Sequence, residues 1–529
     1  MRGSNATGLA IWAALAGLPG SALAAGDDPL SAIDWLSQSV DAPVPASASV
    51  PSSASPAPQP APGEPPVTEG GALPTAVATT PLDGPSPDAV GLISPRVSGF
   101  PRDLWGAGLT REIAEAISRD RMDSLPALRQ LFLTMLLAEA APPIDSEGKG
   151  ILLLARIDKL LHLGALEQAA ALIDIAGPTT SPELFRRAFD VALLTGHEDE
   201  ACAEMQANPA LAPTLPARVF CLARGGQWDV AALTLQTAQA LGQVSPDAAA
   251  LMGRFLDPDL YEAEAVPPPP VPVTPLDWKM FEGIGEPLST LTLPVAFSYA
   301  EISPNFGWIA QIEAAERLTR AGTIAPNVIL GLYTERDPSA SGGVWDRVDA
   351  FQRFDSAYAA GDAARVAQTL PVAWARMQEA ELEVPFAVLY GEGLSKLPLT
   401  GEAARIAFRV GLLSPAYEAI ARARQPADAT ETFLIALATG QLQGVVPPDS
   451  LARAIAPAFT APKPSARAQA MLDGNRLGEA ILVAIEDIAG GVEGNLTGVT
   501  EGLSLLRSVR LDGVARRTAL ELMILERRG

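Results

Sequence analysis

Two histidines and two cysteines stand in 529 residues, and each scarcity closes off a class of chemistry. His162 and His197 cannot supply a multi-histidine metal site, and a Ser-His-Asp triad has almost nothing to draw on. No phosphate-cradling glycine loop and no strand–glycine–helix dinucleotide fingerprint occurs. No metal and no cofactor is therefore expected. Lysine is also rare, at Lys149, Lys159, Lys279, Lys396 and Lys463. With 61 acidic against 38 basic residues the formal charge is −23, so the surface repels nucleic acid and anionic lipid. Past the N-terminus no apolar run nears the eighteen residues of a membrane helix. The longest is Leu131–Ala138, with Thr134 inside it.

The first residues read as a secretory signal. Arg2 gives a thin positive start, Leu9 to Leu18 is uncharged and apolar, and Ala22-Leu23-Ala24 offers a small-x-small cleavage site. The expected mature chain is soluble and exported, most simply to a bacterial periplasm. Residues 25–92 read as a disordered tether rich in Pro, Ala and Ser, which cannot bury enough apolar surface to offset chain entropy. Within it, residues 28–40 have the spacing of a short amphipathic helix whose Ile33, Trp35 and Leu36 could dock on a partner or fold back. Cys202 and Cys221, nineteen residues apart in neighbouring hairpins, suit an exported disulfide or two buried thiols.

What is abundant is regularity. Glycines at 164, 196 and 226, then at 361, 401, 440, 474 and 513, each close an apolar helical stretch and open an alanine-rich one. The spacings, 32 and 30 and then 40, 39, 34 and 39, are those of stacked helical hairpins. Six residues after most of these corners comes a small residue: Ala170, Cys202, Ala232, Ala367, Ala407, Ala480 and Ala519. Two helices crossing near a turn require such a residue for close approach. Gly440 breaks the pattern, because Val446-Pro447-Pro448 follows. The fold class predicted is all-α, an α-solenoid, with helical repeats over 93–262 and 347–529. A Pro-rich hinge and aromatic-rich junction over 263–346 separates them.

Leu163-Gly164-Ala165-Leu166-Glu167-Gln168-Ala169-Ala170, and after it Gly226-Gln227-Trp228-Asp229-Val230-Ala231-Ala232, resembles tetratricopeptide-type repeats over about half the chain. The layout of signal, Trp-bearing helix, Pro/Ala tether and Leu/Ala-rich helices is similar to that of a group of uncharacterised exported alphaproteobacterial proteins. Some of these carry the label "antifreeze glycopeptide polyprotein". That label implies ice binding through tandem Ala-Ala-Thr repeats, which this chain lacks.

Leu276 to Asp346 holds eight aromatics in seventy-one residues, about double the chain's 5%. Tyr299, Trp308, Tyr333 and Trp345, with Asp346 and Arg347, form the candidate binding surface, although Ser341 to Arg347 reads first as a turn and a helix start. The function expected is non-enzymatic: an envelope scaffold or adaptor binding a protein or peptide partner in its superhelix. The alternative is a peptidoglycan- or glycan-acting hydrolase using paired carboxylates, Glu301 and Asp346. It lacks the Glu-Ser signature of lytic transglycosylases.

Overall fold

The computed structural model describes residues 86–119, 125–261, 264–492 and 494–525. The expected signal peptide, residues 25–85 of the tether and the Ile33/Trp35/Leu36 helix lie outside them. The described residues form 25 α-helices and no strand. One parallel bridge joins Ile93 to Ala138. Successive helices pack pairwise along the chain. Their ends are set locally. Ser181, for example, accepts from the Leu184 N–H ahead of a proline-started helix, Pro182–Thr195, which Gly196 closes.

The corners share one hydrogen-bond pattern. At Gly164 the Ala165 N–H reaches back to the Leu160 carbonyl (2.9 Å), and the Gly164 N–H reaches Leu161 (3.0 Å). The pivot must take positive φ, here 78°. The same closure recurs at Gly226, Gly361 and Gly440. It also recurs at three pivots that are not glycine: Glu381, Asn475 and Arg510. Three glycine assignments therefore shift. Gly401 opens the helix Gly401–Leu413 instead of closing one. Gly474 keeps negative φ while Asn475 turns, and Gly513 lies inside Asp512–Ile524 while Arg510 turns. Counting five from the left-handed pivot finds buried residues at Ala169, Ala231, Val366, Phe386, Ala480 and Ala515. Ala170, Ala232 and Ala367 are only half-buried, so in those hairpins the tight contact falls one residue earlier than expected.

Among the described residues, Asp88 and Leu92 are already buried. The buried Asp88 accepts from the Leu153 N–H (2.8 Å) at the start of the helix Ile151–Leu163. Arg156, on that helix, donates to the carbonyls of Leu136 (2.6 Å), Val90 (2.6 Å) and Ala138 (3.1 Å). The Arg156 side chain thus ties the entering strand-like segment to the end of the helix Pro126–Leu137. The aromatic-rich junction that follows the proline run packs into the same cores as the helices before it. Leu276, Met280 and Phe281 enter the core built by residues 185–252, and Trp278 enters a second cluster with Leu166 and Phe297.

An open stack of hairpins would keep early and late helices apart, yet here they meet. The helix Pro126–Leu137 packs on Asp512–Ile524, where the buried Glu521 carboxylate accepts the Ala127 N–H (2.9 and 3.1 Å). Arg476 bridges Glu479 and Glu112, and Arg119 pairs with Glu486 (3.2 Å). The backbones touch too: Ala107 N–H donates to Asn475 O (2.9 Å) and Gly478 N–H to Leu104 O (2.7 Å). A Cβ on Gly106 would sit 1.9 Å from Asn475 O, and one on Gly478 would sit 2.5 Å from the Trp105 ring, so this seam needs both glycines.

Between the two groups of repeats runs a helix buried on most sides, Trp308–Ala321. It contacts Pro126–Leu137 on one flank and Val344–Ala359 on another. Arg320 donates to Ala380 O (3.0 Å) beyond its far end, and Gln168 donates to Thr323 O (3.5 Å).

Cys202 and Cys221 are joined by a disulfide, with Cα atoms 4.9 Å apart, inside the cluster containing Phe185 and Phe220. Closing so short a loop stabilises by about 2–3 kcal/mol. The Cys202→Ser/Cys221→Ser protein is expected to unfold at lower urea, and reductant should shift the parent's midpoint the same way. An unchanged midpoint in both would remove the bond from the stability account.

Candidate functional site

Four of the six aromatic-junction residues come together, around a residue the sequence reading passed over. Glu316 is buried on the helix Trp308–Ala321 and accepts from Arg347 at both oxygens, Nε to Oε1 (2.8 Å) and an Nη to Oε2 (2.7 Å). The Tyr333 hydroxyl, with no exposure, donates to the same Oε1 (2.6 Å). Burial raises the Tyr333 phenol well above its ordinary range, and the adjacent Glu316 charge adds to this, so it stays protonated. Burial pulls the Arg347 guanidinium down, but Glu316 and Tyr333 outweigh that and hold it charged. Trp308 is buried, donates through Nε1 to Leu332 O (2.9 Å), and lies 5.1 Å from the half-buried Trp345 ring. The short helix Pro326–Thr334 is thereby clamped between its two neighbours.

The other two stand elsewhere. Asp346 accepts the Gly342 N–H (2.8 Å) and fixes the turn entering Val344–Ala359. Tyr299 donates to Glu167 on the helix Leu166–Ala176, away from this cluster. Glu301 is buried and accepts from the Thr290 N–H (3.4 Å) and hydroxyl. Both carboxylates of the paired-acid alternative are thus engaged with their own chain. His162 and His197 are exposed, and among the described residues no group of three His, Cys, Asp or Glu could hold a metal ion. No helix among the described residues is long and apolar enough to cross a membrane.

One titrating group has no hydrogen-bonded role in this frame. Asp190, on Pro182–Thr195, is pushed up from 3.8 to about 6, mainly by burial, with Asp158 adding to the rise and Arg186 and Arg187 opposing it. Its folded pKa exceeds the unfolded one, so its contribution to stability is complete below about 3.8 and is lost as pH rises through about 6. Asp190→Asn is expected to stabilise by about 1–3 kcal/mol at pH 8 and to change little at pH 3.5. Equal shifts at both pH values in thermal melts would refute the assignment.

The surface feature that sequence reading missed is the helix Trp228–Ala240. Its inner face buries Ala231, Leu235 and Ala238. Val230, Leu233 (65% exposed), Thr237 and Leu241 (66%) lie on the outer side, within about 80° of one another around the axis. Asp229 is the only charge from Trp228 to Ala240. That near-absence of charge on a surface helix was the available signal. Polar residues ordinarily occupy an outer face.

No protein-family model matches the chain, and neither a curated protein nor a solved structure matches it.

Proposed function

We propose that the protein is a non-enzymatic scaffold or adaptor of the bacterial periplasm, built of tetratricopeptide-like hairpins, that binds a protein or peptide partner on its outer surface. The observation that carries this reading is the outward apolar face of Trp228–Ala240. Exposed apolar rows of this kind mark contact surfaces, and an amphipathic partner segment can lie along one. The reading moves the contact away from Trp308 and Tyr333, which are spent inside the fold. The exported compartment is supported by the N-terminal signal pattern and agrees with the Cys202–Cys221 bond. The acidic surface favours a partner with a cationic rim.

The test is a crosslinked capture from periplasm, comparing the parent with Leu233→Asp/Leu241→Asp. Both positions are exposed, so thermal stability should change by less than about 0.5 kcal/mol. The double variant is expected to lose a partner that the parent retains. Full retention with an unchanged fold would reject the surface. Release of soluble muropeptides by the parent would reject the non-enzymatic reading.

A further inference from the structure

The chain between the helices Pro246–Leu256 and Pro275–Gly283 contains Pro267-Pro268-Pro269-Pro270-Val271-Pro272. Both of its ends are held. Val266 packs against the core of Phe220 and Met280, and Val273 packs against the cluster of Trp278 and Phe297. The carbonyl just before it, on Glu264, accepts from Arg254 (2.6 Å). Between these anchors, Pro268 to Pro272 are all exposed, and Val271 reaches 97%. Among the described residues, none of residues 265–273 joins a hydrogen bond or ion pair.

Solubility does not explain such a segment. A connector that only spans two helices is served by polar residues, whereas this one sets an apolar side chain and four prolines against water. Proline fixes φ near −65° and biases the residue before it towards extended backbone, so the run is stiff before anything binds. Its carbonyls are held in a set direction with no donor opposite them. Stiffness removes most of the ordering cost of association. The surface that fits is a groove of Trp and Tyr side chains, whose faces take the pyrrolidine rings and whose N–H and O–H groups donate to the free carbonyls. The exposed Glu264 beside the run suits a basic residue at that groove's edge.

We infer that Pro267–Pro272 is a docking strip for a partner protein that reads polyproline through an aromatic-lined groove. The strip shares no residue with the apolar helix face, so either surface can be altered without the other.

The experiment places photoreactive benzoylphenylalanine at position 271 of the full chain and irradiates periplasmic extract. A synthetic peptide of residues 264–275, or the same peptide with Pro269→Gly and Pro270→Gly, is then added as competitor. The expected result is one dominant adduct that falls roughly tenfold once the parent peptide stands at ten times its Kd. The glycine peptide should leave it unchanged, and the same probe at the exposed Leu260 should not form it. No adduct, an adduct insensitive to the parent peptide, equal competition by both peptides, the same adduct from Leu260, or an adduct joining two copies of this chain would each overturn the inference.

Discussion

Arg156→Met is expected to lower folding stability by about 3–5 kcal/mol. The guanidinium is fully buried and donates to three main-chain carbonyls from two separate segments. Methionine fills the space but leaves the Leu136, Val90 and Ala138 oxygens without that donor. It also leaves Asp88 without its countercharge. Burial already raises the Asp88 carboxyl, held down in part by the Leu153 and Leu152 amides and by Arg156. Removing Arg156 raises it further. A raised carboxyl is most compatible with folding below its unfolded pKa and least compatible above its folded one, so the variant should suffer most at neutral pH and recover in mild acid. Urea unfolding at pH 7 and pH 4 measures both parts. Adding Asp88→Asn to Arg156→Met should cost less than the sum of the single changes. A loss below about 1 kcal/mol would show that the carbonyls find other donors.

Glu316→Gln is expected to cost about 2–4 kcal/mol, because Arg347 then keeps its charge in a mostly buried place without a carboxylate. The side chain of Arg347 is 13% exposed and that of Glu316 is 5% exposed, so water can do little to compensate. Tyr333 loses a charged acceptor and keeps a neutral one. Glu316→Gln/Arg347→Met should be the milder change, since it removes the stranded charge along with its partner. Tryptophan fluorescence offers a second readout. Trp308 and Trp345 are in ring contact at the ends of the two helices that this ion pair joins, so the single variant should alter emission before global unfolding.

The helices were legible because leucine and alanine fall at helical spacing, and the corners at Gly164, Gly196, Gly226, Gly361 and Gly440 because glycine readily adopts the left-handed turn. Glu381, Asn475 and Arg510 were not legible as corners. There the backbone closure, reaching from one residue past the pivot to five residues back, imposes positive φ on residues that composition does not flag. Glu316 was hidden for a related reason. Glu313-Ala314-Ala315-Glu316-Arg317 reads as an ordinary solvated helix face, and only the arrival of Arg347 and Tyr333 buries it. The aromatic enrichment of the junction was a true signal of packing. Trp308 and Tyr333 serve the interior, and Tyr299 serves a different contact through Glu167. The meeting of residues 104–127 with 475–521 left no trace in any local window, since its partners are separated by up to 394 residues.

That meeting bears on how the molecule is made. A stacked array can ordinarily be trimmed or grown at its ends, each unit leaning only on its neighbours. Here the helix Pro126–Leu137 receives its N-terminal acceptor, Glu521, from the last helix described. A chain emerging from a ribosome must therefore hold its early helices unfinished until nearly all of it has arrived. Such distant pairing slows folding and lengthens the interval in which apolar surface lies bare. Deleting Asp512–Ile524 should loosen amides in Pro126–Leu137, although the contact it removes spans 394 residues of sequence.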